Sequence, residues 1–174
     1  MTKPNWDEYY MGEAFWAATR SHDSEVKVGA IIVNSEKREL SRGYNGFPSN
    51  IEDSGLDSHC PAKLKWMVHA EVNAVTNLNQ KLLFSDQAEV YVTRAPCLEC
   101  SKILWQKNIR IWNIPIHCIE VLLTTPSAIQ IKKYNEDENQ LFDLLLKNGL
   151  RVNYVDFNID GMVKTLQDYK KTIR

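Results

Sequence analysis

The 174-residue sequence lacks a dominant charge: 21 lysine and arginine residues oppose 22 aspartate and glutamate residues, for a formal net charge of −1. Without a basic surplus there is no overall electrostatic attraction to nucleic acid or to acidic membranes. The sequence also lacks a long apolar run, and its first residues, MTKPNWDEYY, contain no apolar signal core. We therefore expect a cytoplasmic protein with no nucleic-acid or membrane partner.

Cysteine is scarce, at four residues. A chain of this length buries a substantial core without disulfides or metal. In the cytoplasm thiols stay reduced, so a Cys-x-x-Cys pair there more often binds metal or performs redox chemistry. Repeats, low-complexity tracts and linkers are also missing, and residues 1–174 are expected to form a single domain.

Hydrophobic periodicity predicts alternating helices and strands. Asn5 and Glu8 have the spacing of a capping box at the start of the first helix. The expected strands are residues 28–34, 39–44, 88–93, 109–114 and 151–157. The expected helices are residues 6–21, 62–79, 97–108, 136–150 and 160–171. This order predicts an α/β fold, a three-layer α/β/α sandwich around a mixed, roughly five-stranded sheet.

Two short stretches place reactive side chains among apolar ones: VHAEVNA (68–74) and RAPCLEC (94–100). Cys97 and Cys100 are three residues apart, so in the first turn of a helix both sulfurs point to one side. Pro96 suits a helix start, and a helix N-terminus lowers the pKa of a thiol toward the thiolate that metals bind. Taken alone, this pair is a candidate for zinc ligation, for a redox pair or for a structural zinc knuckle.

His69 is the best third ligand, although it lies on a different predicted helix. With His69, Cys97 and Cys100 as ligands, tetrahedral zinc keeps one position for water, as catalytic zinc sites do. Glu71 follows His69 by two positions, which corresponds to about 200° around the axis of an ideal helix, so an ideal helix would not place both side chains on one face. In the first turn, at the edge of the site, Glu71 still reaches water on the metal and acts as general base and then general acid.

Two further potential ligands, His59 and Cys60, are adjacent in the polar loop 45–61. They are candidates for a second, structural zinc site. In an alternative interpretation, one of them closes the first site as its fourth ligand, and the protein is a non-catalytic zinc module. Glu71 would then have no chemical role.

The order His-x-Glu followed by Pro-Cys-x-x-Cys is the signature of the zinc-dependent nucleobase deaminases. With three matching stretches, the sequence resembles the deoxycytidylate (dCMP) deaminases of the cytidine deaminase-like superfamily. Those stretches are RSHDSEVKVGAIIVNSEKRELSRGYNGFP (20–48), HAEVNAV (69–75) and YVTRAPCLEC (91–100). The resemblance implies a catalytic core at about 20–110, followed by a C-terminal helix–strand–helix at about 127–174. The choice of this branch depends on GYNGFP and Asn73.

The resemblance implies zinc-dependent hydrolysis of dCMP to dUMP and ammonia, with His69, Cys97 and Cys100 as ligands and Glu71 moving protons. Asn45 occupies the position of a superfamily asparagine that hydrogen-bonds the sugar. The same resemblance implies an allosteric site near GYNG that binds dCTP with Mg²⁺ as activator and dTTP as inhibitor. It also implies a homo-oligomer, with a hexamer favoured.

A 5′-phosphate needs cationic or N–H donors at the rim of the pocket. Arg94 is the first candidate, and Lys27 and Arg20 are alternatives that equally suit an effector's phosphates or a solvated surface. Ser49-Asn50 stands where many relatives have a glycine after GYNG. This departure from the family pattern concerns effector binding, not catalysis. Because the zinc motif does not select a substrate, deoxycytidine, dCTP, guanine and a tRNA adenosine are the alternatives.

Overall fold

The computed structural model describes residues 3–116 and 140–170. Its strands are β1 (Gly29–Val33), β2 (Glu39–Tyr44), β3 (Glu89–Val92), β4 (Ile111–Pro115) and β5 (Arg151–Val155). The helices in these residues are α1 (Trp6–Ala18), α2 (Ala70–Thr76), α3 (Leu98–Gln106), α4 (140–147) and α5 (Ile159–Lys170). None of them is long and apolar enough to cross a membrane.

The strands form one mixed sheet in the order β2-β1-β3-β4-β5. β1 is antiparallel to both β2 and β3, whereas β3, β4 and β5 run parallel. Every residue of β1 and β4 is buried, as expected of strands that are covered on both faces. The predicted α/β sandwich around a five-stranded mixed sheet is confirmed.

Two apolar clusters lie on opposite faces of this sheet. One joins the sheet to α2, α3 and α4, with Trp112 and Leu104 fully buried in it. The other joins the sheet to α1 and to Phe157 and Met162 near the chain's end. The site residues that follow belong to the first layer, since they begin α2 and α3.

The start of α1 is as predicted. The Asn5 side chain accepts a hydrogen bond from the Glu8 N–H at 2.8 Å, and the Glu8 carboxylate accepts one from the Asn5 N–H at 2.8 Å. This capping box satisfies two N–H groups that would otherwise have no partner at the helix N-terminus.

The predicted helix at 62–79 is wrong over its first half. Residues Ala62–Lys65 form a 3₁₀ turn, and α2 begins at Ala70. Between them Val68 is extended and pairs with Gly46 through two backbone hydrogen bonds of 2.8 and 3.1 Å. This long-range pairing outweighs the local helical periodicity.

The C-terminal predictions are met where they are described. β5 and α5 correspond to the expected strand at 151–157 and helix at 160–171. Residues 127–139 and 171–174, which belong to the expected C-terminal unit, lie outside the described residues. The single-domain interpretation stays a prediction.

Candidate metal centre and active site

The N-termini of two neighbouring helices hold the predicted ligands. His69 is the N-cap residue of α2, with extended backbone angles of φ −71° and ψ 155°. Cys97 is the N-cap residue of α3, also extended, and Cys100 lies in the first turn of α3. Because α2 and α3 pack against each other on one face of the sheet, the two helix starts bring all three side chains together.

The three ligand atoms already have the spacing of a metal site. His69 Nδ1 lies 3.5 Å from Cys97 Sγ and 3.4 Å from Cys100 Sγ, and all three atoms lie within 4.8 Å of one another. Bond lengths of ~2.05 Å to nitrogen and ~2.3 Å to sulfur give a nitrogen–sulfur edge of about 3.6 Å in a tetrahedron. The donor set and its spacing therefore fit zinc.

The two thiols differ in protonation. A hydrogen bond from the Cys100 thiol, together with one from His69, lowers the pKa of Cys97 to about 3. The hydrogen bond to Cys97 and burial raise the pKa of Cys100. The Cys97 thiolate in turn raises the pKa of His69. Zinc ligation needs both thiolates, so metal binding releases the thiol proton that remains on this pair.

Glu71 provides a buried carboxyl group beside these ligands. It lies in the first turn of α2 and is 4% exposed. Burial, with a contribution from the Cys97 charge, raises the pKa of Glu71 to about 7. His69 precedes the helix in an extended conformation, so the angle expected of an ideal helix does not separate the two residues. A carboxyl group with this pKa exchanges protons readily near neutral pH.

A family model described as "Cytidine and deoxycytidylate deaminase zinc-binding region" matches residues 4–115. The chain belongs to this family. Deoxycytidylate deaminase from Pongo abelii is 40% identical over 111 residues, and the match covers 60% of this chain. The chain spans 61% of the length of that curated relative.

Two longer matches extend beyond the zinc-binding region. ComE operon protein 2 from Bacillus subtilis (strain 168) is 34% identical over 177 residues, covering 98% of this chain and 81% of that protein. The crystal structure of dCMP deaminase from the cyanophage S-TIM5 in apo form superposes with a TM-score of 0.61 at 25% identity. That match covers 88% of this chain and 100% of the phage chain.

Within this deaminase family member, Asn45 lies next to the ligand-bearing segment, since Gly46 pairs with Val68. Its side chain is 7% exposed and already bonded on both sides. Asn45 Oδ1 accepts the Val28 N–H at 2.7 Å, and Asn45 Nδ2 donates to the Val26 carbonyl at 2.8 Å. The role of Asn45 in binding a sugar stays a prediction.

The three predicted phosphate-binding cations are placed differently. Arg94 is exposed and close enough to His69 for its charge to oppose the rise in the pKa of His69. The Lys27 ammonium donates to the Ser21 carbonyl at 2.6 Å. Arg20 is exposed just after α1. Of the three, Arg94 is the one that immediately precedes the Cys97 segment along the chain.

His59 and Cys60 are not brought to the metal ligands. The His59 ring pairs with Asp57 at 3.0 Å, and Cys60 is exposed, with its N–H bonded to Glu25. Among residues 3–116 and 140–170, His69, Cys97 and Cys100 form the one group of three or more potential ligands. Three protein ligands are the number typical of catalytic zinc sites.

Sequence reasoning missed the buried ion pair between Lys63 and Asp23. The resemblance implies an effector site near GYNG without naming its lining residues, and a cavity of about 240 Å³ lies between that loop and α2. Its lining includes His22, Phe47 and Asn73. The acidic and basic residues could not be matched in advance because 40 positions separate them along the chain.

Proposed function

We propose that this protein is a zinc-dependent hydrolytic deaminase that converts dCMP to dUMP and ammonia. One observation carries the proposal: the buried Glu71 carboxyl, with a pKa of about 7, lies beside a His69–Cys97–Cys100 cluster that fits zinc. The names of the relatives support the choice of substrate, since both the Pongo abelii and the cyanophage protein are called deoxycytidylate or dCMP deaminases.

His69, Cys97 and Cys100 would hold the metal through one nitrogen and two sulfur atoms. When bound, zinc acts as a Lewis acid that lowers the pKa of water to about 7. A bound metal would compensate the negative charge of the two thiolates, and the N-termini of α2 and α3 add positive partial charge.

Glu71 moves the protons of the reaction. Its carboxylate accepts a proton from the attacking water and delivers it to N3 of the cytosine ring. In a second transfer, Glu71 takes the proton that remains on the C4 hydroxyl and delivers it to the amino group on C4. The C4–N bond then breaks and ammonia leaves, while the new C4–O bond becomes the carbonyl of uracil. Burial suits this role because it brings the pKa of Glu71 close to the working pH.

Asn45 binds the sugar as a hydrogen-bond acceptor in this proposal. Its amide hydrogens are directed to the Val26 carbonyl at 2.8 Å and to Asp23 Oδ2 at 3.3 Å. Asn45 Oδ1 has accepted one N–H and keeps a second lone pair. A deoxyribose hydroxyl can donate to that lone pair without breaking an existing bond.

Arg94 is the proposed phosphate ligand. It is exposed, lies between β3 and Cys97, and has no hydrogen bond or ion pair to the residues that the structure describes. A guanidinium group binds phosphate oxygens in pairs. Lys27 is less suited because its ammonium already donates to a carbonyl.

The 240 Å³ cavity beside GYNG is the proposed effector site for dCTP with Mg²⁺ and for dTTP. His22 stacks on Phe47 with ring centroids 5.6 Å apart, and Asp53 and Asn77 add polar groups to the lining. Ser49 and Asn50, at the departure from the glycine of many relatives, line the same cavity. Activation by dCTP-Mg²⁺ and inhibition by dTTP, measured on turnover, test this assignment.

We further propose a homo-oligomer, with a hexamer as the favoured assembly. Light scattering after size exclusion measures the mass directly. A 20.1 kDa species would rule the assembly out.

Ammonia release tests the reaction and the substrate together. The zinc-loaded protein is assayed on dCMP, deoxycytidine, dCTP and guanine, beside the isosteric variant Glu71→Gln. We expect turnover on dCMP, reduced at least about 100-fold in the variant because no general base remains, with zinc content unchanged. Turnover on guanine or deoxycytidine in preference to dCMP would contradict the substrate assignment, and an active Glu71→Gln variant would contradict the mechanism.

A further inference from the structure

The ion pair between Lys63 and Asp23 lies outside the metal ligands but beside the segment that carries one of them. We propose that this pair is a positioning device that fixes His69 in the geometry zinc requires. The inference rests on the zinc site of the proposed function. It assigns a task to two charged residues that touch neither the metal nor the substrate.

Both charges are buried. The Lys63 ammonium lies 2.7 Å from Asp23 Oδ1, and each side chain is 5% exposed. A second carboxylate, Glu25, lies 2.6 Å from the ammonium with 43% of its side chain exposed. Removing two charges from water is costly, and a well-packed apolar pair often stabilises a fold as well or better. Stability alone therefore gives a weak reason for a charged pair here.

Asp23 joins three segments that are distant in sequence. Its Oδ1 atom accepts the N–H groups of Glu25 and Val26, each at 2.8 Å, which shapes the loop before β1. Its Oδ2 atom accepts Asn45 Nδ2 at 3.3 Å, which holds the residue after β2. Lys63 adds the segment before α2. A single buried carboxylate thus connects all three loops.

The ion pair of Lys63 limits the position of His69 through the backbone segment that connects the two residues. The Lys63 carbonyl accepts the Met67 N–H at 2.9 Å, which closes the turn. The next residue, Val68, exchanges two backbone hydrogen bonds with Gly46. His69 follows in extended conformation, before the helix begins. Its position therefore depends on the 63–68 segment, which Lys63 holds at one end and Gly46 at the other.

The chain offers a matched control, the ion pair between Lys37 and Glu89. The Lys37 ammonium lies 2.8 Å from Glu89, and their side chains are 25% and 13% exposed. It also donates to the Tyr91 hydroxyl at 3.0 Å. Tyr91 belongs to the apolar cluster under α1, on the face of the sheet opposite α2 and α3. Breaking this pair disturbs a partly buried network of ion pair and hydrogen bonds without touching the ligand segments.

The test uses Co²⁺ in place of zinc, since thiolate-to-cobalt absorption bands report the ligand geometry without any turnover. Full-length wild type, Lys63→Met, Asp23→Asn and Lys37→Met are compared by circular dichroism and by cobalt titration. We expect the Lys63→Met and Asp23→Asn proteins to bind Co²⁺ about tenfold more weakly, because loss of a group that orients a metal ligand typically weakens metal affinity by about this factor or more. Their thiolate-to-cobalt absorption bands should also differ from those of the wild type. Lys37→Met should keep wild-type affinity and bands.

Asp23→Asn keeps the size of the side chain and one oxygen that accepts the Glu25 and Val26 N–H groups, while its NH2 group can no longer accept from Asn45 Nδ2. It covers the case in which Lys63→Met fails to fold. Folded variants of Lys63 and Asp23 with wild-type cobalt affinity and spectrum would overturn the proposal. Equal loss in Lys37→Met would also overturn it, because the effect would then be general destabilisation. A wild-type protein that binds cobalt but leaves dCMP intact would refute the proposed substrate and leave this comparison valid.

Discussion

At the scale of single residues, burial sets the chemistry of Glu71. The sequence identifies this residue as a proton carrier from its spacing to His69 and from the Pro-Cys-x-x-Cys motif. Its pKa of about 7 could not be predicted in the same way, because the shift comes from packing that leaves 4% of the residue exposed. Motif spacing specifies residue types, whereas desolvation depends on the finished fold.

Arg94→Met should separate phosphate recognition from the chemistry of the base. Loss of the guanidinium removes charge-assisted hydrogen bonds to the 5′-phosphate, so KM for dCMP should rise about tenfold. Turnover of deoxycytidine, which has no phosphate, should not change. Steady-state kinetics on both substrates provide the measurement, and Lys27→Met is the control. A KM for dCMP that stays at the wild-type value would remove Arg94 from the site.

The buried ion pair predicts a pH dependence of stability. Burial, the largest single influence, raises the pKa of Asp23, but the hydrogen bonds from Lys63 and two backbone N–H groups together lower it below its ordinary value of 3.8. A lowered pKa means that the carboxylate stabilises the fold above pH 3.8 and that this contribution is lost as pH falls through the folded-state pKa.

Lys63→Met should therefore be most destabilising at neutral pH. It leaves the Asp23 carboxylate buried without its cation, at a cost of about 3 kcal/mol. As pH falls, Asp23 becomes protonated in the variant before it does in the wild type, because the variant lacks the Lys63 hydrogen bond and charge that lower its pKa. The difference from wild type should therefore shrink toward acidic pH. Urea unfolding of both proteins at neutral and acidic pH measures this difference in the free energy of unfolding. A difference that is independent of pH would show that packing around the lysine stem, rather than its charge, is what the variant loses.

At the scale of elements, the strands were easier to predict than the helix that follows the long loop. β2 begins and ends as the sequence predicts, and β1 and β3 differ by one residue at each end. For β1 and β3 the reason is that short β-branched runs bounded by polar turns leave few alternatives. The helix at 62–79 looked continuous because its apolar spacing is helical. Local spacing contains no information about the pairing of Val68 with Gly46, so the late start of α2 could not be foreseen.

Gly43→Ala tests how closely α2 must approach β2. A Cβ atom at position 43 would lie 2.3 Å from the Ala70 carbonyl oxygen and 2.3 Å from the Ala74 nitrogen. These are backbone atoms of α2, so the helix has to move. We expect a loss of about 2 kcal/mol in unfolding free energy and weaker zinc binding, since His69 caps the displaced helix.

Gly55→Ala is the matched control, because a Cβ atom there meets nothing within 4 Å. Thermal unfolding and zinc titration of both variants give the comparison. If Gly43→Ala kept wild-type stability and zinc affinity, the β2–α2 contact would not govern the ligand position.

At the scale of the whole molecule, the layered architecture follows from the order of elements, and the two apolar clusters explain why it is stable. Which face each helix covers was not predictable from its own sequence. α1 covers the face of the sheet opposite α2 and α3. The metal ligands therefore lie in the layer of α2 and α3, and α1 packs against the sheet in the other layer. The metal ligands at the starts of α2 and α3 add little to either cluster.

Metal removal should therefore leave the fold intact. Treatment with a chelator is expected to abolish deamination while the far-UV circular dichroism spectrum stays that of the zinc-loaded protein, because the buried core of both layers contains no metal ligand except Cys100. Adding zinc should restore activity. Cooperative unfolding on chelation would contradict this, and would make the site structural.

The chain between Gly46 and Lys63 is anchored at both of its ends. Gly46 pairs with Val68 at one end, and at the other the Ser24 hydroxyl donates to the Ser58 carbonyl at 3.0 Å, close to the Lys63 ion pair. The intervening residues contribute no metal ligand, yet several of them line the cavity beside α2. We therefore expect substitutions at the cavity-lining positions of this loop to change what the cavity binds more than they change the metal centre.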